Sequence, residues 1–290
     1  MATINPGYMG YADISGGIGQ FRFSSASISA KQEVEAPDLV TGDWNRQAWV
    51  YGKVEVTGSM SGPVTETFAG SGNTVWDWAT GRTDCGLLAE RDINLYYFCP
   101  PGSENNYQLI EGVLVNSVSF SASAGEVAEF SLDIVGTTPG AFSNQATTRN
   151  QTAEKLVTWD RVAIQIDNGQ SWSNFTGDCF ESFSFEINNN VETRYAICQD
   201  PAGQNLFPYA LIPGMRTITG TLTGYNIPAA FGRDNWLDYQ ATDVSNIIFN
   251  IGGTTVSANV AFHRVEPSLE VGPITSTIAF TGVTTQPFDL

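Results

Sequence analysis

The sequence predicts an all-β chain made of two tandem homologous units, each with one short helix. Three observations carry this. Charged residues are only 15% of the 290, while Gly, Ser, Thr and Asn are abundant, the composition of turn-rich sheets with hydroxyl-bearing faces. Apolar and polar residues alternate with period two through most apolar runs, as in a strand with one face on a core and one toward water. Most informative is a repeat. Gly52 to Gly62 (GKVEVTGSMSG) and Gly214 to Gly224 (GMRTITGTLTG) share glycines at the first, seventh and eleventh positions. Val56 or Ile218 stands two before the middle glycine, and Met60 or Leu222 two after it. The other parity carries Lys53, Glu55, Thr57, Ser59 and Ser61, or Met215, Thr217, Thr219, Thr221 and Thr223. The length suits two domains, placed at 1–145 with an N-terminal arm and at 146–290.

In chain order, residues 1–20 are rich in glycine and small residues and read as an arm outside the core. Phe21 to Ile28 is a first strand with Phe21 and Phe23 on one face. Lys31 to Trp49 is a long polar connection whose Trp44 and Trp49 argue against disorder, and a loop of that length is usually functional. After the glycine-marked strand, Asn73 to Thr80 begins a short helix. Strands follow at Ile93 to Phe98, Leu109 to Ser123 and Phe130 to Gly136. The polar stretch Ser143 to Gln151 is the linker.

The second unit opens with Val162 to Ile166, turned at Asp167-Asn168-Gly169, where Asn-Gly suits a type I′ turn. Phe180 to Ile187 alternates Phe183, Phe185 and Ile187 with Ser184 and Glu186, and Asn188 to Glu192 takes the place held by Lys31 to Glu35. Thr193 to Pro213 is a second long connection. Phe231 to Ala241 matches the first helix, with Asp234 as its N-cap. Ile247 to Ile251 and Val256 to Phe262 form a hairpin about Gly252-Gly253, and Ser276 to Gly282 closes the unit.

Net charge is -17 from 30 acids and 13 bases. It divides almost evenly: 16 acids and 7 bases (-9) in residues 1–150, and 14 and 6 (-8) in 151–290. Neither half is a basic nucleic-acid reader; the charge serves solubility or a surface to which a passing polyanion does not adhere. The N-terminus shows no secretory signal and no stretch approaches a membrane span. Cys85, Cys99, Cys179 and Cys198 lack CxxC spacing and are expected as reduced thiols, so the sequons at Asn150 and Asn174 carry no weight.

Little supports catalysis. His263, the only histidine, lies on a run that alternates toward solvent and is expected as a surface or satisfied side chain. No GxSxG, HExxH, phosphate-cradling GxxxxGK or calcium-loop pattern occurs. Asp77, Asp238 and Glu186 are carboxylates that a glycosidase would have to pair, but thirty acids make such coincidences common. The expectation is a non-enzyme without metal or cofactor.

Several stretches resemble the major tail tube protein of long-tailed bacteriophages. Those in the first half are Phe21-Arg22-Phe23-Ser24-Ser25-Ala26, Lys31-Gln32-Glu33-Val34 with Pro37-Asp38 behind, and Lys53-Val54-Glu55-Val56-Thr57-Gly58-Ser59. Those in the second are Ser182 to Glu192 and Pro213 to Gly220. The resemblance covers most of both halves. It implies that each half is a β-sandwich or half-barrel tube domain whose copies join sheets around a ring, with rings stacked into a hollow conduit for DNA; the usual member carries one such domain and forms hexameric rings, and this chain departs by carrying two. Three chains would then give a ring of six domains. A negative, hydrophilic lumen is expected from Glu55, Thr57, Ser59, Ser61, Thr217, Thr219, Thr221 and Thr223, with Asp133 and Glu186. Inter-ring contacts are expected from the arm and the long connections, at Glu35, Asp38, Trp44, Trp49, Arg194, Tyr195 and Phe207. Partners would be the chain itself and other tail and baseplate proteins. DNA would pass without specific binding, no membrane is involved, and the protein would reside in the virion tail after assembly in the host cytoplasm. The alternatives are a baseplate or tail-completion ring of the same fold, and a secreted carbohydrate-binding β-sandwich.

Overall fold

The computed structural model describes residues 11–21, 23–35, 50–65, 68, 74–81, 87–96, 107–141, 143, 155–167, 172–175, 180–196, 206–225, 244–263, 266–268 and 275–282. The chain is all-β. In the first half the strands are β1 (Tyr11–Ile14), β2 (Gly19–Phe21), β3 (Ser25–Glu35), β4 (Val50–Pro63), β5 (Arg91–Tyr96), β6 (Tyr107–Ser123), β7 (Glu129–Gly136) and β8 (Thr138–Pro139), with helix α1 (Val75–Thr80) between β4 and β5. In the second half they are β9 (Val162–Asp167), β10 (Trp172–Phe175), β11 (Phe180–Asn188), β12 (Glu192–Arg194), β13 (Ala210–Ile212), β14 (Thr217–Tyr225), β15 (Val244–Ile251), β16 (Thr254–Phe262), β17 (Glu266–Ser268) and β18 (Thr275–Gly282).

All pairings are antiparallel. The first half pairs in the order β2-β1-β5-β6-β7-β4-β3 and the second in the order β10-β9-β15-β16-β18-β14-β11. Position by position, the two orders are the same. The halves meet where β6 pairs β11, from Ser117 opposite Asn188 to Ser123 opposite Ser182. One sheet therefore runs through both. Strand β6 reaches this joint because it is long: its beginning pairs β5 and its end pairs β7 and β11. A shift of register between Val115 and Ser117 and a positive φ at Gly112 mark where it changes neighbours.

The core lies on one face. Across the strands runs a row of Phe130, Phe120, Phe185, Gly220, Phe280 and Phe262, each opposite the next. Beside it run Met60, Leu132, Val118, Ile187 and Ile218. All of these except the glycine are buried. Four pairing steps separate β15 from β11, yet the Phe249 and Phe185 rings lie 5.1 Å apart, so the second half's sheet curls over its own core. Burying one such ring stabilises by about 1.5–3 kcal/mol.

The middle glycines sit on this core-facing parity, and the structure shows why. A Cβ on Gly220 would stand 2.2 Å from Phe280 Cζ and 2.5 Å from the Ser184 carbonyl; on Gly58 it would stand 2.6 Å from Ile28 Cγ1. Both are places of close approach rather than turns.

Helix α1 opens on a capping box. The Thr74 hydroxyl accepts from the Asp77 amide at 3.1 Å, and the Asp77 carboxylate accepts from the Thr74 amide at 3.0 Å. Trp76 packs on Phe120, with ring centroids 4.7 Å apart, and Trp78 Nε1 donates to the Ala89 carbonyl at 2.8 Å. Its far end is held by the second half. Asn189 Nδ2 donates to the Ala79 and Val115 carbonyls, both at 3.0 Å, and Arg216 donates from Nη2 to the Thr80 carbonyl at 2.6 Å and from Nε to Asn189 Oδ1 at 2.9 Å. The last carbonyls of a helix carry partial negative charge, which is where a cation is favoured.

Three sequence expectations change here. Residues 11–20 are not an arm: Tyr11, Ala12 and Ile14 are buried in the β1–β2 hairpin, whose turn uses Gly16 and Gly17 at positive φ. The expected first strand from Phe21 to Ile28 is two strands, β2 ending at Phe21 and β3 running from Ser25 through Glu35, so Lys31 to Glu35 belongs to β3 because it pairs β4. Within Thr193 to Pro213, β12 and β13 form a two-stranded ribbon, with Thr193 opposite Leu211. The expected second helix from Phe231 to Ala241, all four cysteines and Asn150 lie outside the described residues. At the start of the expected linker Ser143 exchanges backbone bonds with Tyr107, and beyond its end Val157 bonds with Val64 and Ala128 of the first half; residues 144–151 lie outside the described residues.

Candidate functional site

Opposite the core, the same pairings create a polar surface. Register carries one row from Ser25 through Ser61, Ser131, Ser119, Glu186 and Thr219 to Thr281. A second row runs Ser27, Ser59, Asp133, Ser117, Asn188 and Thr217, and a third Glu129, Ser121, Ser184 and Thr221. Residues directly opposite on antiparallel strands face the same side, so the hydroxyls form one continuous face across both halves.

The ten residues expected to line a lumen share the parity of this face. Thr57, Ser59, Asp133, Glu186, Thr217 and Thr219 are exposed, and Glu55, Ser61, Thr221 and Thr223 are half-buried. The core parity holds equally, with Val54, Val56, Met60, Ile218 and Leu222 buried. Many of the hydroxyls bond across strands: Ser25 with Ser61 at 2.7 Å, Ser184 with Thr221 at 2.7 Å and Thr223 with Thr277 at 3.1 Å. Ser117 donates to Asp133 Oδ2 at 2.7 Å. These cross-strand bonds hold part of the hydroxyl set in place, and the face as a whole is polar and uncharged along most of its length.

The face is dished where the halves meet. A trough of about 450 Å³ is bounded by Ser119, Ser121, Ser184, Glu186, Thr219 and Thr221, with His263 at its rim. His263 is exposed and its Nε2 shares a 2.7 Å hydrogen bond with the Thr281 hydroxyl, the surface role expected of it. Of the three carboxylates considered for sugar chemistry, Asp77 is engaged in the helix cap, Glu186 is exposed on the hydroxyl face, and Asp238 is outside the described residues. Among the described residues no group of three or more His, Cys, Asp or Glu is placed to hold a metal ion. No described helix is long and apolar enough to cross a membrane.

Among the described residues, two lysines share the parity of this face: Lys31 on β3, exposed and directly opposite Glu55, and Lys53 on β4. Lys53, at the start of β4, donates to Glu55 at 2.8 Å and lies 3.8 Å from Glu33. The hydrogen bond to Glu55, then the charge of Glu33, holds its ammonium pKa above the usual lysine value.

Of the second expected set, Glu35 ends β3 opposite Val50, and Asp38, Trp44 and Trp49 lie outside the described residues. Arg194 is exposed and paired with Glu192 at 2.6 Å. Tyr195 is half-buried; its hydroxyl donates to the Val54 carbonyl at 2.9 Å, its ring lies under Lys53 at 5.7 Å, and burial pushes its phenol pKa up. Phe207 packs on the core, and the Val54 amide donates to the Leu206 carbonyl at 2.7 Å. The second long connection is thus anchored on β4 of the first half, a contact unmarked by any local pattern. Around the β12–β13 ribbon Tyr209, Ile212 and Met215 are exposed at 71%, 46% and 77%, three apolar side chains that sequence reasoning passed over.

Comparison with known proteins adds a family. The model of a family described as phage tail tube protein matches residues 3–282. No curated protein matches the chain. Two solved structures similar to it come from an extracellular contractile injection system in its extended state. The PVC sheath/tube terminator shares 11% identity over 46% of this chain and 93% of that chain, with a TM-score of 0.37. The PVC sheath-tube complex shares 12% over 48% of this chain and 91% of that chain, with a TM-score of 0.33.

Proposed function

Because this chain belongs to the phage tail tube protein family, matching it over residues 3–282, we propose that it is a tail tube subunit in which a duplicated tube domain lets three chains close a ring of six units. The single observation that carries the reading is the repeated strand order joined through β6 and β11. In each half the sheet has the same sequence of neighbours, and the first half is already continued by the second. Repeating that head-to-tail joint between chains is a heterologous contact, which closes a ring when the rotation per step divides a full turn.

Eight strands per chain form the continuous hydroxyl-faced span, β3-β4-β7-β6-β11-β14-β18-β17, so three chains supply twenty-four. At about 4.8 Å per strand their backbone circumference is roughly 115 Å and the diameter about 37 Å before strand tilt widens it. The hydroxyl face lines this opening, since the opposite face is filled by core. A duplex carries one charge per about 1.7 Å of axis, and every lysine it passed would add a phosphate contact. Uncharged hydroxyls with Glu55, Asp133 and Glu186 let it slide. Rings stack through the long connections and the β12–β13 end, and other tail proteins complete the two ends of the tube. The fold serves as a conduit in the virion tail rather than as a catalyst.

Electron microscopy of purified tubes, with native mass spectrometry of released rings, tests this. Three chains per ring is the expected result; six chains per ring overturns the stoichiometry, and protein that forms neither rings nor tubes overturns the reading.

A further inference from the structure

Two edges of the long sheet remain open among the described strands: β3 pairs only β4, and β17 pairs only β18. The joint inside the chain specifies how these edges meet. Gly58 and Gly220 are opposite Ile28 and Phe185 in the preceding strands and opposite Ile134 and Phe280 in the following ones. Ile28 therefore corresponds to Phe185, and Ile134 to Phe280. Three residues before the latter pair stand Ser131 and Thr277, whose partners are Ser119 and Glu266. Ser119 is opposite Glu186 on its other side, one residue past Phe185; one past Ile28 is Ser29.

We infer that β17 of one chain pairs antiparallel with β3 of a second copy of the same chain, with Glu266 opposite Ser29, Pro267 opposite Ile28 and Ser268 opposite Ser27. The inference rests on the tube-subunit reading and adds its residue register.

Backbone direction agrees with it. The His263 amide donates to the Ala279 carbonyl at 2.7 Å, so the odd residues of β18 turn their polar groups toward β16 and β17. Thr277 and Thr275 then bond with Glu266 and Ser268. Pro267, opposite Ser276, turns its backbone to the open edge: in the pairing its carbonyl accepts from the Ile28 amide, while its missing N–H leaves the Ile28 carbonyl without a donor, so this step carries one ladder bond rather than two. Within the chain the Ala124 amide donates to the Glu181 carbonyl and the Asn189 amide to the Asn116 carbonyl, both at 2.7 Å. Ser119 and Glu186 are therefore a non-hydrogen-bonded pair, the kind whose Cα atoms lie about 4.5 Å apart. That spacing falls within the roughly 4.4–6.8 Å that a disulfide spans.

The test is cysteine pairing in the full chain. Ser29→Cys with Glu266→Cys, oxidised and run without reductant, is expected to give a covalent ladder ending at a trimer, above whatever the unsubstituted protein gives. Ser25→Cys with Glu266→Cys, four residues (about 13 Å) out of register, is expected to give none. Should the first variant fail to assemble, Ser27→Cys with Ser268→Cys puts the same question at the next non-hydrogen-bonded pair. Protein that assembles into rings but shows no in-register ladder, or an equal ladder from the displaced pair, overturns the register while leaving the tube-subunit reading intact. Unsubstituted protein that forms no rings overturns that reading instead.

Discussion

The Arg216 guanidinium, carried by the second half, donates to the Thr80 carbonyl at the last turn of the first half's helix, 2.6 Å away. Both residues are buried, and Asn189, fully buried, braces the guanidinium from the side. Replacing Arg216 by Met keeps the volume but leaves helix-end carbonyls without their donor. The expected loss is about 2–4 kcal/mol of unfolding free energy in denaturant titration. Asn189→Ala together with Arg216→Met should cost less than the sum of the single changes, because the two side chains act as one network.

Gly220 and Gly58 occupy equivalent places but not equal space. A methyl on Gly220 meets the Phe280 ring and the fixed Ser184 carbonyl, whereas on Gly58 its nearest neighbour is the movable Ile28 side chain. Gly220→Ala is expected to cost about 2–3 kcal/mol and Gly58→Ala under about 1.5 kcal/mol. Thermal unfolding of the two variants checks the order.

That contrast shows what was legible beforehand. Strand parity and the glycine positions were readable because both are local: every second residue must choose a side, and Gly220 is small in a run where its neighbours on that face are not. The ten residues of the hydroxyl face follow from the same alternation. Asn189 and Arg216 were not legible as a pair, since the helix end they hold is more than a hundred residues away in sequence. Nor was β1: four residues beside a glycine-rich turn carry too short a period, and Tyr11 and Ile14 are strand only because β5 lies alongside. The Tyr195 anchor on Val54 was hidden for the same reason as the helix lock.

Thr219→Lys with Thr221→Lys places two ammonium groups in the middle of the hydroxyl face. Tubes should still assemble, because neither side chain touches the core, but DNA delivery should fall at least about tenfold as phosphates bind the new charges. Infectivity of phage carrying the variant, with tubes counted by microscopy, is the measurement. Unchanged delivery, or a tube in which these residues face outward, overturns the lumen assignment.

Tyr209→Glu with Met215→Glu alters the exposed apolar set near the β12–β13 ribbon. Ring closure should persist while stacked tubes become at least about tenfold rarer, since buried charge at a stacking face is costly. Tubes of normal length and number would remove this end of the molecule from the stacking contact.

Burial of Asp13 raises its carboxyl pKa above the ordinary value. A group whose folded pKa is raised charges at a cost above its unfolded pKa, so its ionisation weakens the fold at neutral pH. Asp13→Asn is therefore expected to melt higher than the unsubstituted protein at pH 7. The difference should close as pH falls below about 4.

In the proposed three-chain ring, the joint of β6 with β11 would also decide what other proteins can find. Because the two halves of each chain are tied in one order, they alternate strictly, and a ring of three chains has true threefold symmetry although it is built from six like units. A partner that recognises a feature of one half only, such as the exposed Tyr209 and Met215, meets three equivalent sites per ring rather than six. Proteins docking on the end of the proposed tube would then match it with three copies, and two tied halves per chain would set the valence of what attaches to it.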